Sequence, residues 1–247
     1  MSYIKHFDDI DKLVHNDTYI INNGTTNIVF IGGCRTYALS IYLKECFDLI
    51  PYFRHAQYGI AVIGVHIIDL HKRNKTTNMI NVIQNADIII CEHIKHYSFL
   101  NTLSLCEKNI YNNFNIKSNC KVILIPNLEL KFYINELSCN IQDKNEIISH
   151  KNENLKKFLL NLKNCNADEL CDFIENNTYK IRLFCTFNHP TFILLIYTCK
   201  FIFKKTFNYV LPDDILNKLN KIKIFDNNNN TQLVELDYEL GIDRCVK

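Results

Sequence analysis

The 247-residue chain contains no tryptophan, 4 prolines and 6 glycines, while asparagine, isoleucine and lysine abound. That bias reflects an AT-rich genome and says nothing about function. Charge of either sign is not in excess. A formal net charge of +2 excludes the strong electrostatic pull of a nucleic-acid or anionic-membrane binder. The basic runs HKRNK (71–75) and KFIFKK (200–205) lack a groove of interleaved aromatics, so they read as solvated surface and no nucleic-acid partner is expected. No CxxC pair exists among the 11 cysteines, whose count is odd and whose placement is scattered. A disulfide framework is therefore excluded, and the thiols read as small, reduced core residues. The most apolar late stretch, FILLIYTCKFIF (192–203), contains Lys200 and is too short for a bilayer, so a buried helix is expected and no stable membrane insertion. The first twenty residues carry acids and lack the apolar centre of a signal peptide. These absences lead to the expectation of a soluble cytoplasmic protein, in the host's cytoplasm if the gene is viral.

What is present is an alternation of short apolar runs with helical patterns. The hydrophobic fraction is 47%, enough at this length for a large buried core. Residues 1–26 read as a lead-in, a short helix followed by polar residues. NIVFIG then predicts a strand buried on both faces. RTYALSIYLKECFDLI places Ala38, Leu39, Tyr42, Leu43 and Phe47 at helical spacing and is stopped by Pro51. GIAVIGVHII, ADIIICEHI and CKVILIPNL predict three further strands, with helices in NKTTNMINVIQN and SFLNTLSLCEKNIYNNF between them. Such units imply right-handed crossovers and an α/β fold, a mostly parallel sheet flanked by helices in a Rossmann-like or SGNH-like layout.

The remainder reads as helical. NENLKKFLLNLKN, NADELCDFIENN (with an Asn or Asp cap), TFILLIYTCKFIFKKTF and PDDILNKLNKI supply the helices. QDKNEIISHKNEN is the linker expected between a sheet-rich part, 27–140, and a helical part, 151–225, of one domain over 27–247. DNNNN at 226–230 is a low-complexity loop, and there is no internal repeat.

In an open parallel sheet, ligands bind at the carboxyl ends of the strands. Three polar clusters fall there: Gly32, Gly33, Cys34 and Arg35 after the first strand, Cys91, Glu92 and His93 after the third, and Pro126 and Asn127 after the fourth. Two adjacent glycines are conspicuous in so glycine-poor a chain. They permit a sharp turn, and the helix that follows directs N–H groups at a phosphate or an oxyanion. Cys34 would stand at the positive helix end, where a thiol pKa tends downward. A plain tight turn with a buried cysteine fits the same residues. The pattern is neither GxGxxG nor a P-loop. Cys91, His93 and His96 form C-x-H-x-x-H without a second ligand pair, so no metal is expected and the basic groups serve better as phosphate or substrate contacts. In TFNHPT (186–191), Pro190 suits a first helical turn, which sets Asn188 and His189 at a helix entrance. His189 is a candidate general base.

Taken in order, VFIGGCRTYALSIYL, ADIIICEHIKHY, IPNLEL and LFCTFNHPT resemble the WcbI family of polysaccharide biosynthesis enzymes over residues 27–203. The matching features are its opening strand–turn–helix, its Ala-Asp strand, its later strand and its Asn-His-Pro-Thr signature. The family turn is usually Gly-Asn-Cys-Gln, so Gly33 stands at the asparagine and Arg35 at the glutamine. The resemblance implies coenzyme A binding and an acetyltransferase that uses acetyl-CoA and a sugar or nucleotide-sugar acceptor. It also implies catalytic roles for His189, Cys34 and Asn188 and cofactor contacts from Gly32, Gly33, Arg35 and His93, with Arg35 suited to a phosphate of coenzyme A. The layout is also similar to SGNH-type hydrolases, but no Asp-x-x-His precedes His189. Two alternatives stay open: a glycan esterase or deacetylase using Cys34 and His189, and a non-catalytic coenzyme A or glycan-binding module. A homo-oligomer is compatible with the sequence.

Overall fold

The computed structural model describes residues 3–6, 19–22, 24–32, 34–54, 57–64, 77–93, 115–128, 130, 144–178, 180–181, 183–186 and 189–225. The continuous apolar run forms β3 (Thr26–Gly32), buried from Ile28 onward. Full burial follows from its central place in a five-stranded sheet. With β2 (Tyr19–Asn22), β4 (Tyr58–Gly64), β5 (Ile88–His93) and β6 (Lys121–Pro126), the order is β2-β4-β3-β5-β6. β3, β4, β5 and β6 run parallel, and β2 is an antiparallel edge strand on β4. The α/β class expected from the alternating pattern is the fold observed.

Successive strand residues point to opposite faces, and the two faces carry two separate cores. Ile28, Phe30, Ile60, Val62, Ile90, Ile123 and Ile125 pack against the larger helical layer. That layer comprises α1 (Cys34–Leu49), the short α2 (Pro51–Arg54), α4 (Lys144–Asn164), α5 (Asp168–Asn177), α6 (Phe192–Phe207) and α7 (Asp213–Leu219). Val29, Ile31, Ile63, Ile89 and Cys91 face the other way, where Ile83 of α3 (Thr77–Gln84) covers them.

Two helices set the geometry of the sheet's ends. Phe47, near the end of α1, stacks on Tyr58, the first residue of β4, with ring centroids 4.4 Å apart. Phe207, the last residue of α6, meets the same ring edge-on at 5.5 Å. Lys121, the first residue of β6, donates to the carbonyls of Lys205 and Thr206 in the last turn of α6. Both helices therefore finish at the amino edge of the sheet. A 16-residue helix is about 24 Å long, comparable with a strand of this sheet, so both begin at the carboxyl edge.

Several expectations are corrected. The lead-in contributes strands: β1 (Tyr3–His6) pairs in parallel with β9 (Ile222–Phe225), and β2 joins the main sheet, while the stretch 7–18 between them, where the short helix is expected, lies outside the described residues. The expected linker is the first half of α4. The stretch has neither glycine nor proline to break a helix, and its described side chains Ser149, Asn152 and Glu153 are exposed while Leu155, Phe158 and Leu162 are buried. α5 has Ala167 at its N-cap with no side-chain cap. Asn166 instead closes α4, in the left-handed region at φ 52°. Its N–H reaches the carbonyl of Lys163, and that of Ala167 reaches Leu162, a Schellman ending. Pro190 lies before α6, not in its first turn. It pairs within β8 (His189–Pro190) against β7 (Phe184–Thr186), and Thr191 is the N-cap. The helix expected over 98–114 and the loop at 226–230 lie outside the described residues.

Candidate functional site

The order of the parallel strands reverses at β3. The chain leaves β3 for β4 by way of α1 on one face, then returns past β3 to β5 by way of α3 on the other. The carboxyl ends of β3 and β5 therefore flank a topological switch point, the crevice where open α/β sheets bind ligands. Gly32 ends β3, Cys34 opens α1 two residues later, and Glu92 and His93 end β5.

A buried ion pair spans this crevice. Arg35 donates from Nε to Glu92 Oε1 and from Nη2 to Glu92 Oε2, both at 3.1 Å, a two-pronged fork. Nη1 donates to the carbonyl of Leu128 at 3.4 Å, in the loop that follows β6. The Glu92 side chain is 1% exposed and that of Arg35 10%, so the charges neutralise each other largely out of water. Gly32 makes room for this arrangement. A Cβ there would lie 2.9 Å from both Cγ and Cδ of Glu92 and 2.4 Å from Cγ2 of Thr36. Gly32 does not have a positive φ. The glycine is there for clearance, not for a left-handed turn.

The fork joins the first two of the clusters placed at strand ends, and the same guanidinium reaches Leu128, the residue after the third. Arg35, expected to meet a phosphate, has its guanidinium on Glu92. Glu92 was visible in the sequence only as a neighbour of two potential ligands. Cys91, the first residue of the C-x-H-x-x-H pattern, faces the core beside Val29, Ile31 and Ile63. Burial, with Glu92 adding to it, pushes its thiol far above the usual range, which leaves it protonated and unreactive.

His189 reaches the same edge by a different route. It pairs with Thr186 in the β7–β8 hairpin just before α6, whose first turn lies at the carboxyl edge. Thr191 anchors that hairpin: its N–H and its hydroxyl both donate to the carbonyl of Leu183, at 2.9 and 3.2 Å. Thr191, the N-cap of α6, makes no side-chain cap bond to that helix. α1 and α6 thus both direct first-turn N–H groups and the positive ends of their dipoles to one edge. Gly33 and Asn188, and the side chains of Cys34, His93 and His189, lie outside what is described. A cavity of about 210 Å³ opens elsewhere, near the amino edge, where Asn27, Gly59, Asn81 and Asn85 help line it. None of the candidate residues borders it.

The fold resembles that of WcbI. The solved structure matches 85% of this chain and 75% of its own, with a TM-score of 0.52 and 16% sequence identity. It is described as a novel polysaccharide biosynthesis enzyme, in a native form without a disulfide bond between coenzyme A and one of its cysteines. At this identity the likeness establishes a shared fold. No protein-family model matches the chain, and no curated protein is similar to it in sequence.

Proposed function

We propose that the protein is a coenzyme A-dependent enzyme of glycan biosynthesis, transferring an acetyl group from acetyl-CoA to a sugar or nucleotide-sugar. The observation that carries this reading is that two helices, α1 and α6, begin at the carboxyl edge of a WcbI-like sheet, α1 directly beside the switch point. Because Glu92 already neutralises Arg35, attraction for an anionic ligand falls to backbone amides and helix dipoles. Donors of that kind suit both a phosphate group and the oxyanion of acyl transfer.

In this reading His189 accepts the proton of the acceptor hydroxyl as its oxygen attacks the thioester carbonyl. Amides at Gly33 and Cys34, with the Asn188 side chain, hold the oxyanion of the tetrahedral adduct. The carbon–sulfur bond then breaks, and the departing coenzyme A sulfur takes the proton from His189. Cys34 and His93 line the donor side. Holding both substrates in line supplies much of the acceleration. Among the described residues, six cysteines are buried and unbridged, in accord with a reducing, cytoplasmic setting.

The test is acceptor-dependent release of free coenzyme A from acetyl-CoA across a panel of sugars. Turnover by the wild type, reduced about 10²- to 10⁴-fold in His189→Ala with coenzyme A binding retained, is the expected result. Release of acetate from acetylated glycans without any coenzyme A requirement would favour a Cys34–His189 esterase instead. Binding of coenzyme A with no turnover on any sugar would favour a non-catalytic module.

A further inference from the structure

We infer that Glu92 is a positioning residue of the reacting edge: acting through Arg35, it holds the β3–α1 turn, and with it the first turn of α1, in register with the ends of β5 and β6. The importance of this turn for catalysis rests on the reading of the carboxyl edge given above, but the mechanical role of Glu92 does not.

Three observations support it. The first is connectivity: one guanidinium bonds the end of β5 through both oxygens of Glu92 and the loop after β6 through the carbonyl of Leu128. Arg35 itself belongs to the first turn of α1, next to Cys34. All three loops around the switch point are therefore tied at a single side chain. The second is clearance. The space a Cβ of Gly32 would occupy is taken by Glu92 and Thr36, so the last residue of β3 is reduced to hydrogen in order to admit the carboxylate. The third is energetic. Desolvating two charges offsets most of their attraction, and a buried ion pair is commonly no more stabilising than apolar residues of equal volume. The cores on both faces of the sheet are built from such residues. What a fork supplies and an apolar contact does not is a fixed direction, since its two parallel bonds restrain both distance and plane.

The experiment is peptide-resolved alkylation of the folded protein with iodoacetamide, comparing Cys34 with Cys46 and Cys199 as internal references. Cys46 lies in α1 and Cys199 in α6, both buried in the larger core. In Glu92→Gln, which keeps the shape and removes the charge, labelling of Cys34 should rise at least fivefold while Cys46 and Cys199 label as in the wild type. Should that variant fail to fold, Arg35→Lys decides. It keeps a charge opposite Glu92 but cannot bridge both oxygens, and the same local rise is expected. An unchanged Cys34 rate, or a rise shared by all three cysteines, would overturn the inference, the latter by showing a global loss of stability. The assay requires no coenzyme A. Failure of the wild type to bind coenzyme A would count against the proposed function alone, and an unchanged Cys34 rate against the positioning role alone.

Discussion

At the scale of single residues, the two edges of the sheet are held by different electrostatics. At the amino edge, Asp87 accepts from the backbone N–H of Asn27 at 2.8 Å and from Lys117 Nζ at 3.1 Å. Its own N–H and carbonyl bond Asn27 and Lys121, joining β3, β5 and β6. The Asn27 amide lowers the Asp87 pKa below the ordinary carboxylate value; burial opposes it, and Lys117 adds to the lowering. A lowered folded-state pKa contributes stability that is complete at neutral pH. That stability fades once the pH falls below about 4 and is lost as the pH passes through the folded value. Asp87→Asn is expected to cost up to about 1 kcal/mol at pH 7, allowing for its partial exposure. In urea denaturation followed across the acid range, the two proteins should converge below about pH 4. At the carboxyl edge, the special character of Gly32, Cys34 and Arg35 was legible because two glycines before a cysteine break the local pattern. The partner of Arg35 was not. Glu92 lies 57 residues away, and nothing in a run such as IIICEH distinguishes a buried, paired glutamate from one at a solvated strand end.

At the scale of elements, β3 to β6 and α1 could be read because a parallel strand buried on both faces is a continuous apolar run and a core helix keeps its spacing. Polar boundaries misled. Asn166 looked like the start of α5 and instead ends α4, since asparagine suits both an N-cap and a left-handed C-terminal position. A segment rich in Lys, Asn and Glu looked like a linker, although such residues also compose an exposed helical face. β1 and β9 are four residues each and pair across most of the chain, so neither carries a local signal. The hairpin before α6 escaped for the same reason: three residues face two, and a proline there fits a strand end as well as a helix start. Thr191 links that hairpin to α6. Thr191→Val preserves its shape and removes the hydroxyl bond to Leu183, and a loss of about 1 kcal/mol in denaturant-induced unfolding is expected.

At the scale of the whole molecule, an aromatic cluster gathers at the amino edge, opposite the edge to which the proposed chemistry is assigned. Phe47, Phe53, Phe203 and Phe207 pack with Tyr58 and Tyr209 at the amino edge, with ring centroids 4.4 to 6.4 Å apart. This cluster locks the ends of α1 and α6 to the start of β4. Phe203 is fully buried, and Phe203→Ala is expected to destabilise by about 3–5 kcal/mol. Coenzyme A affinity at a temperature where the variant is folded should stay within about threefold of the wild type, a change of less than about 1 kcal/mol, because the cluster lies at the far ends of the two helices. Among the described residues no helix is long and apolar enough to cross a membrane. In the function proposed above, the carboxyl edge, where α1 and α6 begin, receives coenzyme A. Calorimetric titration of the purified protein with coenzyme A, with AMP as a fragment control, tests it most directly. Micromolar binding of coenzyme A, weaker for AMP and lost when the cofactor's phosphates are removed, is the predicted result. No heat of binding for coenzyme A, acetyl-CoA or AMP would contradict it.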